Sequence, residues 1–375
     1  MNKNILIILL CFVMQVMPSG SAAQVSFFKP GWEADTMKHA VDQLYNYQFL
    51  KARATIAPLR MLDPLHPAIQ MFDCLEIYWS HFPIASYPAE YPKYKNDLKK
   101  ALDYTLALLK KDELNPENTF YALLLHIMLA RQLFEDGEKW GAMQHTMDAF
   151  VYIKKGFTLQ DKCSEFYLTS GLYKYYREFF AEMNPVYKPL MAVFPSGSIP
   201  EGLALIEKAT YTTVFVKPEA MMYASYINLR YQNDKKEGLR FASMMNTLYP
   251  ENSLFKVLYT ENLIQSGEYE RARVELNKLV LSPVPYFKLP CALFRGLLEL
   301  RYAHNTDEAV KWFELAIKAG QPISKATENF VGLAYYELAH IYKQKGNMAE
   351  AKNCYKKAEQ YCQYVTVKKD AAKRK

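Results

Sequence analysis

The chain has 375 residues, half of them hydrophobic and 14% aromatic, with 29 tyrosines. Of its formal net charge of +7, four units lie in residues 368–375 and one on Lys3, so the intervening body carries only +2. That balance excludes the clustered basic face of a nucleic-acid binder, and residues 365–375 read as a basic, disordered tail.

Residues 1–23 have the pattern of a secretory signal. Lys3 lies in a short polar start, residues 5–17 are largely apolar, and Ser21, Ala22 and Ala23 suit cleavage before Gln24. The apolar run is too short to span a bilayer comfortably, and no other stretch approaches the length required. Cys11 sits deep inside that run with Leu10 before it, which does not fit a lipid-attachment site. The mature chain is expected to be exported, without a transmembrane span. Five cysteines remain after cleavage, Cys74, Cys163, Cys291, Cys354 and Cys362, an odd number that forms no familiar disulfide framework. They read as buried apolar thiols.

From residue 24 to 364 apolar residues recur at three and four, glycine is scarce, and paired helices can be traced throughout. Ala52, Ile56 and Leu59 set one helix, in which Pro58 should produce a kink. Residues 83–92, with Pro83, Pro88 and Pro92, read as an extended loop. Ala101, Thr105 and Leu108 set a further helix, and Leu125, Leu129, Gly137, Ala142 and Ala149 a pair. Phe166, Tyr167, Tyr173, Tyr175, Tyr176, Phe179 and Phe180 crowd one helix, as core residues would. Residues 181–199 hold Pro185, Pro189 and Pro195 and read as an insertion.

Two consecutive repeats follow in one register, over 219–252 and 253–286, anchored by Gly238, Ala242, Met245 and Pro250 and then by Gly267, Ala272, Leu276 and Leu279. Gly296, Ala309, Phe313 and Ala316 fit another with a slightly short turn. Asn347 before Glu350, Asn305 before Glu308 and Ser198 before Glu201 place a cap residue three positions ahead of an acid, each at the start of a second helix.

The clearest unit spans 332–365. Leu338, Ala339, Tyr342, Gly346, Ala351, Tyr355 and Ala358 fall at the positions of a 34-residue helix–turn–helix repeat. Small side chains let the two helices approach, tyrosines fill the gap to the neighbouring pair, and Gly346 makes the turn. The chain thus resembles the tetratricopeptide-repeat proteins. That resemblance implies an all-α, right-handed solenoid of about eight stacked antiparallel pairs, working as a binding surface. Ser170, Gly171, Leu172 and Tyr173, followed by Gly202, Leu203, Ala204 and Leu205, also resemble the centre of the Iml-type tetratricopeptide proteins, which share a Gly-rich turn before such a helix.

In that fold the first helix of each pair lines the concave face. The candidate partner-binding residues are then Tyr223, Arg230, Glu261, Tyr336, His340 and Lys343, with Ile227, Val257 and Ile264 between them. The lysine–asparagine carboxylate clamp of some family members is absent, because Tyr223, Val257 and Tyr336 stand where lysine is wanted. A mixed apolar groove with single charges suits an internal peptide segment or a protein surface.

No catalytic, cofactor or metal set is expected. The seven histidines, His39, His66, His81, His126, His145, His304 and His340, show no metal-ligand spacing. Ser196, Gly197 and Ser198 lack the frame of a nucleophile elbow, and no phosphate-cradling loop occurs. The expectation is an exported, non-catalytic scaffold for protein or peptide partners, periplasmic or associated with the outer membrane of a Gram-negative bacterium. The alternatives are a glycan-binding outer-membrane protein of the starch-utilisation type, against which Trp32, Trp79, Trp140 and Trp312 are dispersed, and an enzyme on a helical scaffold.

Overall fold

A computed structural model of the chain describes residues 26–191 and 193–375. The signal segment 1–23 lies outside the described residues. Among those described there are seventeen helices of ten residues or more and no β-strand. They are α1 (Trp32–Tyr45), α2 (Phe49–Leu62), α3 (Pro67–Ser80), α4 (Glu90–Leu109), α5 (Pro116–Glu135) and α6 (Lys139–Leu159). Next come α7 (Phe166–Met183), α8 (Ile199–Thr212), α9 (Lys217–Ile227), α10 (Lys235–Leu248), α11 (Ser253–Gln265) and α12 (Tyr269–Val280). The series ends with α13 (Lys288–Arg301), α14 (Thr306–Ala319), α15 (Glu328–Gln344), α16 (Met348–Tyr361) and α17 (Val365–Arg374). Helices α1 to α16 pack as eight consecutive pairs, and α17 closes the last of them. None of these helices is long and apolar enough to cross a membrane.

The same backbone device ends the first helix of three pairs. Gly137, Gly267 and Gly346 all have φ near +80°, a conformation that costs glycine little. At the last of them the Asn347 N–H donates to Tyr342 O at 2.9 Å and the Gly346 N–H to Lys343 O at 3.1 Å. This double bond pattern satisfies carbonyls that the helix end would leave bare. The second helices then start on the expected caps. Ser198, Asn305 and Asn347 accept from the backbone N–H of Glu201, Glu308 and Glu350 at 3.1–3.3 Å.

Small residues set the closest approaches between helices, and larger apolar side chains fill the rest. Ala52, Ile56 and Leu59 are buried on α2, which runs through Pro58 without interruption. Ala339 and Ala351 are buried where α15 meets α16. Gly171 lies in the middle of α7, not in a turn, and faces Gly202 of α8. A Cβ added to Gly202 would sit 2.8 Å from Gly171 O and 2.6 Å from Tyr175 N, so backbone contact itself sets this spacing. Gly296 is also mid-helix, in α13. A Cβ there would sit 2.6 Å from the Phe313 ring, and His304 at φ 55° takes the turn instead. The proline-rich stretch 83–92 is only partly extended. It holds a short 3₁₀ turn, Ile84–Ser86, and the start of α4.

The end of the chain differs from the sequence expectation. Residues 365–374 form a helix rather than a disordered tail, with Val367 and Ala371 buried. Charge counting missed this because the apolar positions, Val367 and Ala371, are four apart and form one narrow stripe among lysines.

The stack also closes on itself twice. At the N-terminal end the Tyr249 hydroxyl donates to Asp42 at 2.6 Å, the Asn252 side chain to Tyr45 O at 2.8 Å, and the Glu251 N–H to Asn46 at 2.9 Å. These bonds dock α1 against the α10–α11 junction. At the other end, residues 363 and 364 return to α9 and α11.

Candidate partner-binding chamber

The first helices turn a set of tyrosines and charges inward. Arg131 of α5 lies with its guanidinium 5.5 Å from the Tyr78 ring of α3. Its side chain is still 57% exposed. The charge nevertheless acts on Tyr223 of α9 and on Tyr286, in the turn before α13. Burial pushes the Tyr286 hydroxyl up to about 12, with Arg230 and Arg131 pulling the other way. Arg131 also pairs with Glu135, one turn further along α5, at 3.0 Å, so it stands as a half-exposed ion pair against the Tyr78 ring, with Tyr223 and Tyr286 within range of its charge.

Glu219 lies in the first turn of α9. Burial raises its carboxyl to about 7. The Tyr45 hydroxyl donates to one oxygen, and the other has no hydrogen-bond partner among the described residues. Glu165, fully buried before α7, is likewise raised by burial to about 7, although it accepts backbone N–H groups from Phe215 and Val216 at 3.1 Å.

Of the six residues expected to line a groove, Tyr223 is half-buried on α9, within range of the Arg131 charge. Arg230 and Glu261 do not present free charges. A π-helical turn over Asn228–Gln232 continues α9, and from it Arg230 pairs with Glu261 of α11 at 2.5 Å. Arg230 also donates to Gln363 at 3.1 Å, and the Tyr364 hydroxyl donates to Glu261 at 2.8 Å. The pair is buried and closed by the returning chain.

Tyr336, His340 and Lys343 are not brought to these residues at all. The Tyr336 hydroxyl donates to Asp370 of α17 at 2.9 Å, and His340 Nε2 lies 3.7 Å from the same carboxylate. Lys343 borders a cleft of about 400 Å³ between the last pair and α17, together with Lys352, Lys373 and Arg374. The correction has one cause: α17 packs beside the last pair, and its Asp370 takes up Tyr336 and His340. Sequence reasoning also missed Tyr78, Arg131, Glu219 and Tyr286. Only the helical register of α3 and α5 could have pointed to the first two.

A second cluster lies between α5 and α6. His126 Nδ1 is 2.9 Å from His145 Nδ1 and 3.8 Å from an Asp148 oxygen. Linear spacing hides it, because the two histidines are 19 apart and meet only when the pair closes around Gly137.

The architecture is that of an all-helical stack of antiparallel pairs. A tetratricopeptide-repeat family model matches residues 333–363, the last pair. Residues 333–363 thus carry a tetratricopeptide repeat, and the described residues before them continue the same paired-helix arrangement. Among solved structures it is similar to the human IFIT1 dimer with m7Gppp-AAAA, at 12% identity and a TM-score of 0.38, over 87% of this chain and 94% of that one. It is also similar to yeast Tom70, at 10% identity and a TM-score of 0.36, over 92% and 82%. At such values the likeness carries no functional argument. No curated protein matches the chain.

Proposed function

We propose that the protein is an exported, non-catalytic scaffold that binds a protein or peptide segment in the chamber lined by α3, α5 and α9. One observation carries the reading: the Arg131 guanidinium lies 5.5 Å from the Tyr78 ring with its side chain more than half exposed, although it is paired with Glu135 at 3.0 Å. Tyrosine offers apolar area with a polar tip at low entropic cost, as binding surfaces favour. The guanidinium has further N–H donors beyond the one given to Glu135, so a partner carboxylate can join or replace that pair. The signal pattern of residues 1–23 supports export, and a periplasmic or outer-membrane-associated position in a Gram-negative cell goes with it.

The test uses immobilised mature chain, residues 24–375, and envelope extract. A bound protein recovered by the wild type should fall at least about tenfold with Arg131→Glu, which opposes the partner's charge, with the melting temperature unchanged. Equal recovery contradicts the chamber. N-terminal sequencing of the exported protein should begin at Gln24. A tyrosine floor also suits a sugar ring, and retention on polysaccharide lost in Tyr223→Ala would favour the glycan reading instead.

A further inference from the structure

We propose that His126, His145 and Asp148 form a binding site for a zinc-class divalent ion. His145 and Asp148 are one turn apart on α6 and so project from the same face. His126 faces them from α5. The three donor atoms all lie within 4.8 Å of one another. Zinc bonds of 2.0–2.2 Å in a tetrahedron place ligand atoms about 3.3 Å apart. The observed separations of 2.9 Å and 3.8 Å from His126 Nδ1 bracket that value.

A proton shared between the two imidazoles would account for the shorter contact but leaves Asp148 outside the bond. A metal ion uses all three groups. Two imidazoles with one carboxylate favour zinc or its transition-metal neighbours over calcium and magnesium, which take oxygen ligands. The ligands are also positioned unequally. His126 is only 4% exposed, and the Tyr152 ring stacks on it at 5.6 Å and 27°. Asp148 is 59% exposed. The ion would therefore be held against a fixed imidazole, tie α5 to α6, and keep a coordination position toward solvent for water or for a donor side chain of a partner.

The experiment takes untagged mature chain stripped with chelator. Zinc is titrated by calorimetry, and cobalt by the visible absorption of its tetrahedral complex. One ion per chain is expected, with a rise in melting temperature on adding zinc. His145→Ala should abolish the cobalt spectrum and the thermal shift, and Asp148→Asn should weaken binding by about tenfold or more. Both side chains reach solvent, so circular dichroism of the variants should match the wild type. Absence of stoichiometric binding by the wild type overturns the proposal, as does binding that His145→Ala leaves unaltered.

Discussion

Arg230 and Glu261 meet at 2.5 Å across two adjacent helix pairs, and Tyr364, 103 residues beyond Glu261, completes the contact through its hydroxyl. The guanidinium also lies 4.7 Å from the Tyr226 ring and 5.7 Å from the Phe330 ring. Helices α9, α11 and α15 and the start of α17 therefore share one buried charge pair. It acts as a clasp for the second half of the stack, not as part of an open groove.

Removing one partner leaves the other charge buried alone. Glu261→Ala should destabilise the protein by about 3–5 kcal/mol. Chemical denaturation measures this directly. A loss below about 1 kcal/mol would mean that the pair is solvated in solution.

Deleting residues 365–375 should lower stability, because α17 buries Val367 and Ala371 and its Asp370 accepts from Tyr336. A buried valine contributes about 1.5–3 kcal/mol and a hydrogen bond about 1. The melting temperature of the truncated chain reports the sum. An unchanged melt would restore the view of a dispensable tail.

Stability should also fall as the solution is made less acidic. Burial raises the Glu165 and Glu219 carboxyls to about 7 from an ordinary 4.5. A carboxyl raised on folding binds its proton more tightly in the native state. Its contribution is complete below about pH 4.5 and is lost as pH rises through about 7, up to about 3 kcal/mol for each group. Glu219→Gln keeps an acceptor for Tyr45 and cannot ionise, so it should flatten part of this slope in melts between pH 5 and pH 8.

Thiol chemistry gives an independent check on packing. Cys74, Cys163, Cys354 and Cys362 are buried and Cys291 is partly exposed, all of them free. Burial pushes the Cys291 thiol up to about 11 and Cys362 to about 12. Maleimide should label native mature chain slowly and at Cys291 alone, and all five sites once denaturant is added. Fast native labelling of Cys362 would place the last turn of the stack in the open.

Local signals carried most of the fold. Turn glycines such as Gly346, cap residues such as Asn347, and small residues such as Ala339 and Ala351 act within one pair, and a 34-residue window contains all of them. The chamber depends on contacts that no such window holds. Tyr45 meets Glu219, 174 residues away, only because the stack curls far enough for distant pairs to touch. The same limit explains the misplacement of Tyr336, His340 and Lys343. Their helical face was readable, but the helix that packs beside it was hidden in a lysine-rich tail. His126 and His145 were visible as residues, and their contact required the hairpin register of α5 and α6.

On the proposed function, the partner contacts the tyrosines around Arg131 on the first helices rather than resting on the outer wall. A photo-crosslinking benzoylphenylalanine placed at Tyr223, and separately at the exposed Val274 of α12, tests it in producing cells. The account predicts a discrete protein adduct from position 223 and none from position 274. An adduct from 274 with none from 223 would contradict it.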